Sequence, residues 1–324
     1  MFWRPLLFLT LFGFVQALTG PADAETYPAR TVRIVVAYPA GGTTDVTARV
    51  LAQALSEKMH GTFVIENRSG AGGAIGADNV AKSAADGYTL LYAASPELAL
   101  ITSTKKSIPY DPVKDFVPVR LIGRAPFVLV ANKDLPPNSV KELIEYTKAH
   151  PNSVSFSSFG SGTSNHLTGE LLNLQTGMTM LHIPYRGSAP SLTDLMGGQV
   201  QVTFDTITAV QSLLETGQIK ALAVATPQRL KALPAVPTLS ESGLPGFTGG
   251  TWFALMAPSG TPTAIVSELS KATTSVLASA DFQKALEAQG VVIQNQGPDA
   301  FKQFLSEEIG KWRKVVEQIG LVPQ

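Results

Sequence analysis

From residue 27 onward the chain alternates short β-branched runs with amphipathic helical runs, and that alternation is the tightest limit on its fold. Strands joined by helices pair in parallel, and a parallel sheet is covered by helices on both faces. Residues 32–38 predict a first strand and 46–58 its helix, with Val46, Val50, Leu51, Ala54 and Leu55 along one stripe. Further strands are expected at 63–66, 88–93, 127–132, 154–157, 180–184, 200–204, 219–225 and 252–257, with helices between most of them. Residues 109–118 carry too much proline to be regular, and helices at 263–278, 281–289 and 299–319 close the chain. No repeat of fixed period and no low-complexity tract interrupts the pattern.

Two segments of this alternation stand out, Tyr38 to Asp45 (YPAGGTTD) and Phe159 to His166 (FGSGTSNH). Each joins a strand to a helix through glycines and hydroxyls, which leaves backbone N–H groups free at the positive end of a helix dipole and makes a seat for an anion. In the first, the N–H groups around Gly41 to Thr44 and the hydroxyls of Thr43 and Thr44 can cradle a carboxylate, while Asp45 caps the helix. The alternative is a tight strand-to-helix turn without a ligand. In the second, Ser161, Thr163, Ser164 and Asn165 offer donors, and His166 either reaches the ligand or holds the turn closed through a backbone carbonyl.

The first 24 residues read as an export leader. Arg4 follows the amino terminus, Leu6 to Leu18 is mostly apolar, and Pro21-Ala22-Asp23-Ala24 sets small residues at −3 and −1 of a cut after Ala24. A membrane anchor fits less well, because the run is short and holds Gly13 and Gln16. With no cysteine there is no disulfide framework, thiolate metal site or lipidated N-terminal Cys, which suits a bacterial periplasm. Roughly 300 mature residues suffice for two α/β lobes. Basic and acidic residues balance at 25 each, and the leader removes Arg4 and Asp23 together, so nothing electrostatic favours nucleic acid or anionic lipid.

Other candidates point elsewhere. Gly70-Ala71-Gly72-Gly73-Ala74-Ile75-Gly76 misses the dinucleotide pattern at Ile75 and reads as a structural turn against the neighbouring lobe. There is no G-x-S-x-G, no H-E-x-x-H and no evident acid–base pair, and His60 and His150 sit at helix ends, so the chain is not expected to be an enzyme or to need a cofactor or metal. Asp205 reads first as a helix cap, and otherwise as a carboxylate placed where α/β clefts meet an amine or a water. Arg186 is open between an anion partner and a surface salt bridge, and Trp252 and Phe253 between core or hinge packing and a cleft wall.

Taken in order, AYPAGGTTDVTAR, ENRSGAGGAIGA, DGYTLLYAA, IPYDPVKDFVPV, HIPYRGSAPSLTDLMGGQV and APSGTPTAIVSELSKA closely resemble the tripartite tricarboxylate transporter substrate-binding proteins, the Bug receptors, over the whole mature chain. The resemblance implies a two-lobed, type II-like periplasmic binding protein, each lobe a mainly parallel sheet flanked by helices, with the ligand cleft between them. Residues 25–124 and 247–324 are then one lobe and 125–246 an inserted second lobe. Carried onto this chain, the ligand residues are Tyr38, Pro39, Ala40, Gly41, Gly42, Thr43 and Asp45, then Gly160, Ser161, Gly162, Thr163, Ser164 and His166, with Asp205 as a further cleft residue. The implied partners are a small carboxylate, aliphatic, aromatic or an amino acid, and membrane transporter subunits. A monomeric protein is expected. Signalling to a membrane kinase is the alternative role, and an exported α/β enzyme acting on a carboxylic acid a more distant one.

Overall fold

The structure, a computed structural model, describes residues 27–323, so the expected leader lies outside the described residues. The first part runs β1 (Val32–Val36), α1 (Thr43–Met59), β2 (Phe63–Asn67), α2 (Ala74–Ala81), β3 (Thr89–Ala94) and α3 (Ile101–Thr104). After β4 (Phe116–Asn132) come α4 (Val140–Ala149), β5 (Ser155–Ser158), α5 (Ser164–Thr176), β6 (Leu181–Pro184), α6 (Ser188–Met196), β7 (Val202–Thr206), α7 (Ile207–Glu215) and β8 (Ile219–Val224). The chain ends with β9 (Gly250–Pro258), α8 (Thr263–Leu277), α9 (Ala280–Ala288), β10 (Val292–Gln296) and α10 (Pro298–Gln318).

The strands lie in the order β2-β1-β3-β9-β4-β7-β5-β6, with β10 and β8 also paired to β4. Among the described strands, parallel pairs join β2-β1-β3 and β6-β5-β7, within which strand and helix alternate. β4, β8, β9 and β10 pair antiparallel with their neighbouring strands, so the sheet is mixed.

β4 is far longer than the strand expected at 127–132. Pro118, Gly123 and Pro126 break its sequence pattern, and the fold accommodates them with register shifts between Pro118 and Arg120 and between Leu121 and Gly123. Up to Pro126 the strand pairs with β9; from Phe127 it pairs with β7 and β8. The chain returns at Gly250, whose φ is +139°, and a Cβ there would lie 2.5 Å from the carbonyl oxygen of Ala125, so only glycine fits this crossing. The short β10 escaped the sequence reading because it is half exposed and lacks an apolar face.

These pairings fix where the parallel strands end. β1 and β3 run in the same direction as β4, whereas β5 and β7 run against it. The C-terminal ends of both triplets therefore converge on the crossing at 126–127. The loops that leave β1 and β5 start from these ends.

A continuous apolar core, including Leu91, Phe127, Phe156, Phe204, Trp252 and Trp312, spans both sides of the crossing. α1, α8 and α9 cover the opposite face of the first part, and α6 and α7 that of the second. α10 lies over the crossing. Its Glu308 Oε2 accepts from the indole N–H of Trp252 at 3.0 Å and of Trp312 at 3.2 Å, and its Lys311 Nζ donates to the Thr248 carbonyl at 3.0 Å. Arg124 is buried on β4, and burial lowers its pKa and that of Lys311, with the Glu308 charge opposing both shifts. Removing Glu308 would strand two indole N–H groups and leave two cations uncompensated. Glu308→Ala is expected to lower the unfolding free energy by about 3 kcal/mol in a urea titration; a loss under about 1 kcal/mol would show that the cluster does not anchor the crossing.

Candidate functional site

The first glycine segment leaves β1 and turns into α1. Gly41 has φ +88°, and Gly42 is extended and serves as the N-cap. The expectation that Asp45 caps α1 is corrected by this placement. Asp45 is inside the first turn, and its Oδ2 reaches back to the N–H of Gly41 at 2.9 Å. Arg49 grips the same carboxylate through Nε and Nη2, both at 2.9 Å, and Asn67 Nδ2 donates to it at 2.8 Å. Burial would raise the pKa of Asp45, but hydrogen bonds from Arg49, Gly41 and Asn67 and the Arg49 charge bring it below the usual value. The carboxylate braces the turn from behind. Pro39, Ala40, Gly41 and Gly42 are exposed, Thr43 and Thr44 half-buried, and among the described residues the N–H groups of Gly42, Thr43 and Thr44 have no recorded acceptor.

The second segment repeats this construction after β5. Gly160 and Gly162 have φ +126° and +79°, and Thr163 is the extended N-cap of α5. The N–H of Gly162 donates to Nδ1 of His166 at 3.0 Å, the same four-residue offset as Gly41 to Asp45. That bond puts the imidazole proton on Nε2, which lies 3.6 Å from Glu170 Oε1. His166 holds the turn as an acceptor of an N–H, where a carbonyl contact was the expectation. Thr163 Oγ1 lies 2.5 Å from the Gly160 carbonyl and 2.8 Å from Asn165 Oδ1, and its one proton can serve either acceptor, which tightens the turn. Ser161 is exposed, and the buried Ser164 hydroxyl has no partner among the described residues.

Behind His166 lies His182, ring centroids 3.8 Å apart, and Phe156 stacks against both. His182 Nε2 is 2.6 Å from Ser158 Oγ, and burial followed by the His166 charge pushes its pKa down to about 4. The second brace is therefore an aromatic stack where the first is an ion pair.

Asp205 is not the cap of α7, which is Thr206. It sits at the end of β7, 1% exposed, where Ser188 Oγ donates to Oδ2 at 2.5 Å and the Thr206 N–H to Oδ1 at 2.7 Å, tying the starts of α6 and α7 together. Burial pushes its pKa up to about 6 against those hydrogen bonds. Arg186 is exposed and makes no salt bridge among the described residues, and Trp252 and Phe253 are core. The turn at 70–76 packs within its own half and not against the other: a Cβ at Gly76 would meet Ala37 Cα and the Arg68 carbonyl at 2.8 Å, and one at Gly73 would meet Glu97.

Two residues next to the first turn escaped the sequence reading. Asn67 Nδ2 also donates to the Tyr38 carbonyl at 3.0 Å, and the fully buried Glu97 accepts from the Tyr38 hydroxyl at 2.6 Å. An acid inside the apolar run YAASPELALI was the available signal for Glu97. Surface pockets of about 350 Å³ beside Ile75 and Lys105 and about 550 Å³ beside Tyr27 and His60 include no residue of either turn.

The family model described as "Tripartite tricarboxylate transporter family receptor" matches residues 47–321. Protein BugT of Bordetella pertussis is 41% identical over 318 residues, 98% of each chain. Among solved structures, Rpa4515 of R. palustris with adipate is 39% identical with a TM-score of 0.79, covering 92% of this chain and 100% of that one. The periplasmic binding protein BugD is 36% identical with a TM-score of 0.75, at the same coverage.

The raised pKa of Asp205 has a definite sign. The folded protein holds that proton more tightly than the unfolded chain, so the stability it contributes is present below 3.8, its ordinary value, and is lost as pH rises through about 6. The unfolding free energy of the wild type relative to Asp205→Asn, measured in urea, is expected to fall by roughly 2 kcal/mol between pH 4 and pH 8. A difference that stays flat or rises would contradict the assignment.

Proposed function

Since the chain belongs to the tripartite tricarboxylate transporter receptor family, we propose that it is a periplasmic solute-binding protein that captures a small carboxylate between its two glycine turns and delivers it to a membrane transporter. The reading rests on one observation above the rest: two helix N-termini, each braced by a glycine N–H bonded to the side chain four residues on, leave the ends of β1 and β5 where those ends converge. Residues 39–44 form one seat and residues 160–164 the other, with Asp45 and His166 holding them in shape. Residues 1–24 are the export leader. Residues up to Pro126 and from Gly250 onward make one lobe, the residues between make the other, and the chain acts as a monomeric receptor and not as an enzyme.

Donors from both lobes satisfy one carboxylate only when the cleft is shut, so ligand binds the closed form better and shifts the population toward it. Each charge-assisted hydrogen bond contributes roughly 1.5 to 3 kcal/mol net, and a few of them reach a dissociation constant on the order of micromolar. Adipate, the acid in the Rpa4515 structure, is the natural first probe beside succinate, citrate, benzoate and aspartate.

Gly42 offers a clean test. Its φ is −78° and a Cβ there would have no neighbour closer than 4.0 Å, so a side chain is tolerated by the fold but projects among the outward N–H groups. In protein purified from the periplasm, with Glu25 as its expected first residue, Gly42→Val should keep the wild-type Tm and lose at least about tenfold in affinity for the best-bound acid by calorimetry. Unchanged affinity would remove the first turn from the site.

A further inference from the structure

Between β3 and α3 the chain makes one π-helical turn, Pro96–Leu100, and Glu97 lies within it, wholly buried. Single π-turns of this kind recur at functional sites. Glu97 Oε2 accepts from the Tyr38 hydroxyl at 2.6 Å and Oε1 from the N–H of Ala94 at 2.5 Å, and among the described residues no cation is within salt-bridge distance. A buried acid without a cation is costly to retain, and burial pushes its pKa up to about 7. An apolar side chain would fill the space at less cost.

The surroundings are fitted to this group. Gly73 has φ +96°, and a Cβ there would stand 2.7 Å from Glu97 Cβ and 3.3 Å from the Tyr38 hydroxyl. Tyr110 donates to the Glu97 carbonyl at 2.6 Å, and the ionisable groups that act on this cluster are Tyr38, Tyr110 and Asp78 of α2. At its far end the same segment reaches the other turn: a Cβ on Gly162 would lie 3.2 Å from Thr104 at the end of α3. Residues 96–104 thus touch Tyr38, from which the first glycine turn springs, and Gly162 in the second.

We propose that Glu97 is a positioning residue for the ligand site: its carboxylate holds the Tyr38 hydroxyl and so fixes the start of the first glycine turn, while the segment it opens carries that restraint to Gly162. The proposal rests on the reading of the two turns as one ligand site. A seat arranged in advance loses less conformational freedom when the ligand arrives, so the bond acts on affinity without touching the ligand.

Tyr38→Phe removes only the hydroxyl, and Glu97→Gln keeps the shape but can accept from only one of the two donors. Hydrogen exchange of the ligand-free protein reads the effect directly. Either variant is expected to raise exchange of the hydrogen-bonded amides of the turn, Gly41 to Asp45 and Val46 to the Gly42 carbonyl, about tenfold, the double variant no more than the single ones, with β9 amides and the Tm of Tyr38→Phe unchanged. Affinity for adipate should fall about tenfold in parallel. Unaltered exchange of the Gly41 and Val46 amides in Tyr38→Phe overturns the proposal, as does a Tm loss with exchange raised equally throughout the sheet. If the wild type binds neither adipate nor the other acids, the ligand reading fails, and the exchange result still decides whether Glu97 positions the turn.

Discussion

A backbone N–H bonded to a side chain four residues ahead is the contact on which this site depends. At Gly41 the acceptor is Asp45 and at Gly162 it is His166, and in both cases the bond pulls a glycine with positive φ over the start of a helix. Satisfying that one donor from behind lets the next donors point outward, where the helix dipole favours an anion. The supports differ in chemistry: Arg49 and Asn67 hold the carboxylate, whereas His182 and Phe156 stack on the imidazole and Glu170 faces its Nε2. The geometry they produce is the same.

Sheet topology brings the strand ends that carry these two turns toward one crossing. β4 passes through both halves, and the parallel triplets on either side of it run in opposite senses, so their C-terminal ends meet at the crossing. Gly250 allows the returning strand to lie against Ala125, and α10 seals the crossing with Glu308, Trp252 and Trp312. Two thin connections under one helix join the halves, and the closure proposed above would require its smallest rearrangement there.

The parts legible in the sequence were those whose signal is local. Glycines beside hydroxyls between a β-branched run and an amphipathic one mark the two turns, and the period of the apolar residues marks α1, α8 and α10. β4 was not legible as one strand, because Pro118, Gly123 and Pro126 look like breakers until β9 and the register shifts absorb them. Asp45 and Asp205 stand beside helix starts, where a cap is the local expectation; Asn67, 22 residues on, joins Gly41 and Arg49 in using one carboxylate differently, and Ser188, 17 residues back, does so for the other. Glu97 acts on Tyr38 from 59 residues away, a distance over which no sequence period carries information.

In the function proposed for this chain, both turns grip one ligand. The most direct measurement is a titration of ¹⁵N-labelled protein with adipate, following the amide resonances of Gly42, Thr43 and Thr44 together with those of Ser161 and Ser164. The account predicts that both groups shift along a single binding curve with one dissociation constant. Shifts confined to one turn, or two curves with different midpoints, would contradict it.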